Sequence, residues 1–362
     1  MGTLEEPQRG TGGVMKSIQR NVAALMLSLL PVSAFAAEAG EAGYATVSYR
    51  TVPFNLSIFA PLDLNPGVGR VRNHITLGLF LSSTDQLHGV EIGAGVGLVK
   101  EDVLGAQIDA LACWSEGSVR GVQLSSLFSY TGAITIGWQG SAVLNASGAV
   151  IGAQVGTANL TAELMGTQIG VVNWSSRGRG FQLGVVNLSD ELDGEAIGVF
   201  SWSKRRGVFD AEVWSADTGL LNAGVRFGTE HIYNLFFVSV ASTADTAAWA
   251  PGYGLGAHLP ITERFSLDLD FTMQAPNVHA RIRDGQVPDV LYSIRVAPAL
   301  QLTETLALFG GPSLHFLHDS GPSTASSLVP SYAWQLTAEG GTDHDRGRVH
   351  AWLGAFVGLR AF

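Results

Sequence analysis

Between Gly89 and Val213 the chain restarts one short phrase nine times, and no other feature limits its fold as tightly. The units open at Gly89, Gly105, Gly121, Gly137, Gly152, Gly166, Gly180, Gly194 and Gly207, so the period falls from 16 residues (Gly89 to Gly105) to 13 (Gly194 to Gly207). The clearest copies start Gly152-Ala153-Gln154-Val155-Gly156, Gly166-Thr167-Gln168-Ile169-Gly170 and Gly180-Phe181-Gln182-Leu183-Gly184. A unit this short holds a strand and a turn, with no room for a helix pair. It predicts an all-β array whose repeats bury their faces on one another.

Side chains alternate faces along a strand. In the unit at Gly180, one parity carries Phe181, Leu183, Val185 and Asn187; the other carries Gly180, Gln182, Gly184 and Val186. Two architectures satisfy this. In an antiparallel outer-membrane-type β-barrel the apolar face meets lipid, and Gln107, Gln123, Gln154, Gln168 and Gln182 are the candidate lumen-facing residues. In a parallel β-solenoid the apolar face points inward and the glutamines stack as an outer ladder. A solenoid asks for a constant period, whereas hairpin turns absorb drift. The barrel, of about 14–18 strands at the usual span, is therefore the expected fold, with the solenoid as alternative.

The ends add location. Lys16 and Arg20 flank the short apolar run Val22–Leu30, and Ala34-Phe35-Ala36 supplies a small–x–small site, so an export signal cleaved after Ala36 is expected. That run is too short for a spanning helix, which needs ~20 residues. Met15 reads as a more natural start than Met1, which leaves an upstream extension. The expected division is 1–36 extension and signal, 37–70 lead-in, and 71–362 one barrel, with repeat strands over 89–214 and other strands over 218–362. Charged residues make up 14% of the chain against a usual ~25%. With 45 glycines and no second long apolar run, this suits membrane strands in which apolar residues occur one in two. The lone Cys113 excludes an internal disulfide. A net charge of −10 leaves no nucleic-acid footprint.

Near the C-terminus, Phe265, Leu267, Leu269, Phe271 and Met273 alternate with Arg264, Ser266, Asp268, Asp270 and Thr272. Such a strand has water on one side and apolar material on the other. Thr262-Glu263 and Thr303-Glu304 read as tight turns, while 275–289 and 317–330 read as longer loops. Tyr332–Ala338 alternates too and reads as a strand. Counting back from a periplasmic Phe362 places the short turns outside and the long loops inside, the reverse of the usual barrel, which means a missed strand or a barrel reading wrong in detail.

The tandem G-x-Q-[ILV]-G-x-x-N units behind a signal-like segment and the lead-in Val52–Leu62 resemble the bacterial surface repeat-containing family of the leptospiral type, over roughly residues 50–205. That resemblance implies an outer-membrane or surface location and no catalysis, and it brings no functional residues. The terminal Phe362 resembles the signal by which outer-membrane strands engage the barrel-assembly machinery, so that machinery and outer-membrane lipid are the expected partners.

Other motifs have plainer readings. Gly93–Gly97 lacks the spacing of a dinucleotide fingerprint. His315 and His318 point to opposite faces of a strand, and Asp343-His344-Asp345 reads as a loop, so no metal is expected. Asn159, Asn173 and Asn187 begin sequons but are explained by the repeat. Arg177, Arg179, Lys204, Arg205 and Arg206 are basic spots read as solvated turns. No catalytic constellation or cofactor motif is present. The expected role is structural or passive, at most a narrow pore, with a surface-attached solenoid serving adhesion or binding as the alternative.

Overall fold

The computed structural model describes residues 48–60, 62–65, 69–218, 220–242, 247–276, 289–319, 328–336 and 348–362. The signal-like segment and Asp343-His344-Asp345 lie outside the described residues. The fold is all-β, with no helix among the described residues. The chain folds as two compact units: 1–184 with 188–193, and 185–187 with 194–362.

In the first unit the strands pair in parallel, each repeat on the one before it. Gly152 lies beside Gly137 and Gly166 beside Gly152, and Gln154 pairs in the same way with Gln139 and Gln168. This is solenoid-like stacking. The expectation of antiparallel hairpins therefore fails for the repeat strands. Drift in the period does not prevent stacking, because the lost residues come out of corners. Ser147 pairs with Thr131 but Ala149 with Ile134, so one residue vanishes at a bend while both flanking strands stay in register.

Each coil has three corners. One is a two-residue bend such as Ala110-Leu111 or Gly156-Thr157, and a second falls near Glu116–Ser118 or Gly148. The third is the repeat glycine. Gly89, Gly105, Gly121, Gly137, Gly152, Gly166, Gly180 and Gly194 all hold φ between 129° and 150°. A Cβ at Gly152 would lie 2.1 Å from the carbonyl oxygen of Gly137, and one at Gly166 would lie 2.0 Å from that of Gly152. Glycine is thus required twice, by its backbone angle and by the close approach of the coil below.

The stacking begins earlier than the repeat does. Arg50–Phe59, in the expected lead-in, pairs in parallel with Val71–Thr84, which in turn pairs with Gln86–Gly93. It also ends sooner. The ninth unit at Gly207 is no coil, and Phe209–Ala216 pairs antiparallel with Leu220–Gly228.

The second unit closes on itself. Phe209–Ala216, Leu220–Gly228, Ile232–Ser242, Ala247–Pro260, Phe265–Gln274, Val290–Thr303, Leu306–Asp319 and Arg348–Ala361 each pair antiparallel with the next. The last pairs with the first. The ring has eight strands, fewer than the 14–18 expected, because the repeats do not join it. Of the segment expected as a strand at Tyr332–Ala338, Trp334–Leu336 pairs beside Arg348–Ala361 outside the ring. Removing it from the count restores the usual polarity. The connections at 229–231, 261–264 and 304–305 share an end with Phe362, and the long connections at 275–289 and 320–347 join strands at the other end.

Replacing Gly152 with Ala is expected to destabilise the coils by more than about 2 kcal/mol, from positive φ together with overlap on backbone. Gly140 has no such constraint, since a Cβ there would meet only the movable end of Leu124 at 2.7 Å. Gly140→Ala should be nearly neutral. Denaturant unfolding of both variants checks the contrast.

Candidate functional site

Both units bury many polar side chains, beside smaller apolar clusters such as Leu87–Val99–Val103–Val119 and Trp214–Leu235–Phe237, and both expose many large apolar ones. In the coils, Gln107, Gln123, Gln139, Gln154, Gln168 and Gln182 are fully buried. Each amide donates to the glutamine below it, at 3.0 Å from Gln123 to Gln107, 2.9 Å from Gln139 to Gln123 and 2.7 Å from Gln154 to Gln139. The column continues at 2.8 Å from Gln168 to Gln154 and 2.7 Å from Gln182 to Gln168. The second amide hydrogen turns to a backbone carbonyl across the coil, as in Gln107 to Gly97 at 2.9 Å. The sequence-derived candidates thus face inward, but into a filled interior with no exposure and saturated amides. They cross-link coils and line no water-filled path. Gln139 completes the column although Gly140 breaks its motif; its position two residues after the repeat glycine is the signal that identifies it.

A second column runs parallel to the first. Asn145 Nδ2 donates to Asn159 Oδ1, and Asn159 Nδ2 to Asn173 Oδ1, both at 2.8 Å. Asn159, Asn173 and Asn187 are fully buried, so their sequons present no acceptor to solvent. Unpaired buried amides cost roughly 1–3 kcal/mol each, so these columns hold the coils in one register. On the outside, Arg177 pairs with Glu163 at 2.5 Å and Arg179 with Asp193 at 3.5 Å. Those exposed pairs add little to stability.

The glutamine column ends in a carboxyl. Glu91 takes the position that glutamine holds in the next six units, accepting from Gln107 at 3.3 Å and from the Ser82 hydroxyl. Burial, then the nearby Asp109 carboxyl, pushes Glu91 up to about 8. Burial likewise pushes Asp109 up to about 7, against the hydrogen bond it accepts from Cys113 at 3.3 Å. Burial also raises the Cys113 thiol, which is inert rather than nucleophilic. A protonated Glu91 is close in shape to glutamine, so the pair is a proton-holding cap on the column.

The barrel interior is closed by charge. Arg226 reaches Asp268 at 2.8 Å, Glu212 at 3.2 Å and Asp210 at 3.5 Å. Arg360 reaches Glu212 at 2.7 Å and also bonds Asp268, while Arg295 takes Asp270 at 2.7 Å. The guanidinium groups lie over rings, with Arg226 3.8 Å from the Tyr233 centroid and Arg295 4.7 Å from that of Trp214. Above this layer His315 bonds Ser293 at 2.7 Å and Asp217 at 3.1 Å, and Trp352 Nε1 donates to Asp217 at 3.0 Å. The cavity between the layers, bordered by Asn222, Arg295 and His315, measures about 20 Å³, room for about one water. His315 and the half-buried His318 lie on opposite faces of their strand, as their spacing requires. Among the described residues no group of three or more His, Cys, Asp or Glu is placed to hold a metal. The sequence left the charge layer unseen because its members lie up to 148 residues apart, as Glu212 and Arg360 do. Their only signal was charge recurring at inward parity, which was visible at Asp268 and Asp270.

Two outcomes test these interiors. Glu91 holds a proton in the fold that it loses when unfolded, so the protein should lose stability as pH rises from about 4.5 to about 8 and no further above that. Glu91→Gln removes the part of this loss that Glu91 carries and leaves that of Asp109, which burial also raises. Its advantage over the parent should be absent near pH 4 and reach on the order of 5 kcal/mol above pH 8, read by unfolding across pH. Arg360→Ala leaves Glu212 and Asp268 short of a buried partner and should cost about 3–5 kcal/mol, read as a lower melting temperature of the barrel. No protein-family model, curated protein or solved structure matches this chain.

Proposed function

We propose that the chain is an outer-membrane protein whose eight-stranded barrel crosses the bilayer as an anchor, with the coiled repeats carried on the same chain and no catalysis of its own. The observation that carries this reading is the inverted barrel. Its strands run from 8 to 14 residues, against the 9–11 needed to cross a bilayer at a tilt. Along Phe209–Ala216 and Phe265–Gln274 exposed and buried positions alternate, with Phe209, Val213, Leu269, Phe271 and Met273 outside and Asp210, Glu212, Asp268 and Asp270 inside. In water such a surface would be a large apolar liability. In lipid it is what a spanning barrel requires, and ring closure pairs the first strand with the last so that neither is left as an open edge along its paired length.

The reading favours an anchor over a pore. An eight-stranded ring has an interior that side chains can fill, and here three arginines and four carboxylates fill it. The short turns beside Phe362 and the long connections at the far end agree with the usual orientation, turns in the periplasm and loops outside. The family resemblance and the signal-like N-terminus point the same way. Engagement of the barrel-assembly machinery through Phe362 belongs to the same proposal. No helix among the described residues is long and apolar enough to cross a membrane, and strands are the elements proposed to do so.

Detergent-extracted protein should run at two positions on a gel, a compact band without boiling and a slower, unfolded one after it. A single position under both conditions, with the protein recovered in the soluble fraction, would sink the proposal in favour of a released solenoid acting as a binding module.

A further inference from the structure

The coils carry an outer surface that the barrel does not explain. From Val122 to Ala162 the sequence has no charged residue, although more than two full coils pass through that stretch. At the two-residue corner the exposed side chains, coil by coil, are Leu111, Leu127, Val143, Thr157 and Val171, aliphatic but for Thr157, whose hydroxyl bonds the Ala142 carbonyl. The two faces that meet there continue in aliphatics, with Ile92, Ile108, Leu124, Ile169 and Leu183 exposed on one of them.

Thr157 apart, polar chemistry begins only away from that corner, and it does so in order. Trp and Tyr residues come next, though not in every coil: Trp114 stacks on Tyr130 at 4.0 Å on one face, Ala146 and Leu160 follow in that row before Trp174, and Trp138 stands 57% exposed on the other face beside the repeat glycine. Charge comes last. Lys100, Glu101, Asp102 and Glu116, then Glu163 and Arg177, all fall in the segment that approaches the glycine corner. The row of aliphatics, the row of Trp and Tyr, and the row of charges therefore lie at successive distances from the two-residue corner.

This order is that of a bilayer read from hydrocarbon through interface to water. From Leu127 to Tyr130 is three residues, about 10 Å at ~3.3 Å per residue. That fits inside one leaflet of a hydrocarbon core ~30 Å thick and is far short of crossing it. A protein partner has no reason to sort apolar side chains by depth, and it would have to cover two faces and the edge between them.

We propose that the coiled unit is a one-leaflet membrane wedge, with the Leu111–Leu127–Val143–Val171 edge inserted among acyl chains, Trp and Tyr at the interface, and the charged corner in water. The occupant of its apolar faces is lipid. The complementarity is one of charge: the uncharged faces meet hydrocarbon, and the ionic groups stay at the level of headgroups and water. This rests on the outer-membrane reading for the presence of a bilayer but makes a separate claim about the coils.

The test uses the full chain reconstituted in phosphatidylcholine–phosphatidylglycerol vesicles, with a fluorescent probe on one introduced cysteine at a time; Cys113 is buried and stays native. Val143→Cys and Val171→Cys report the edge, either serving if the other fails to fold. Glu163→Cys reports the charged corner, and Leu269→Cys on the outside of the barrel is the control. The wedge predicts that edge probes are quenched several-fold more by brominated acyl chains than the Glu163 probe is, and several-fold less by aqueous iodide. Edge probes open to iodide while the Leu269 probe stays lipid-quenched would overturn the wedge and leave the barrel reading intact. Edge probes shielded from both quenchers would show a second copy covering the faces and would also overturn it. A Leu269 probe open to iodide would remove the outer-membrane reading itself.

Discussion

A side-chain amide shut away from water must find its partners inside, and in a narrow coil these are a backbone carbonyl across the coil and the matching amides directly above and below. That constraint organises the first unit. Gln154 bonds Gln139 and receives Gln168, so the residue at this position is decided by its neighbours along the axis more than by its own coil. For the amides to meet at 2.7 to 3.0 Å, successive backbones must pass closely, and the repeat glycine permits it. A carbonyl sits about 2 Å from where a Cβ would be at nearly every such corner. The amide columns share the interior with a few apolar residues such as Leu87, Val103, Val119 and Leu164, and most of the remaining apolar side chains lie on the outside. The outward Leu, Ile and Val of the coils leave a largely apolar surface, which the proposed membrane setting would cover.

The barrel reaches the same inversion by another route. Its interior is wider than a coil and is filled by ions instead of a single amide column. Arg226 and Arg360 share Glu212 and Asp268, so each carboxylate answers two guanidinium groups and no full charge is left alone. Such buried networks are poor sources of net stability but fix a unique arrangement when every member is present. The rings of Tyr233, Trp214, Phe356 and Phe309 under the guanidiniums fill what the ion pairs leave open. The polar interior here is structural.

Much of this was written in the sequence at the level of faces, and little at the level of partners. The repeat glycine, the inward glutamine and the outward aliphatic are period-two features of single strands, so the shared parity of Gln107, Gln123, Gln154, Gln168 and Gln182 was legible in the sequence, while what they meet was not. What a strand cannot state is whether its neighbour runs with it or against it. The drift in period pointed to hairpins, yet Thr131–Ile134 shows that one residue can leave at a bend without disturbing the register on either side. The division into two closed bodies was hidden for a similar reason, since Gly207 imitates the repeat glycine while Phe209–Ala216 pairs with Arg348–Ala361 far along the chain. The ion network needed that pairing to be visible, and Tyr332–Ala338 misled the strand count because alternation does not prove membership in a ring.

The central claim is that both units hold polar residues inside and present apolar ones to lipid. Methyl NMR of Leu and Val in lipid nanodiscs tests it across the whole chain at once, with a spin label either at the acyl-chain end or on a water-soluble chelate. The account predicts that Leu269, Val357 and Val143 broaden with the lipid label and not with the chelate, while Leu164, Leu291 and Leu317, buried inside, respond weakly to both. Broadening of the outward methyls by the aqueous label would contradict it.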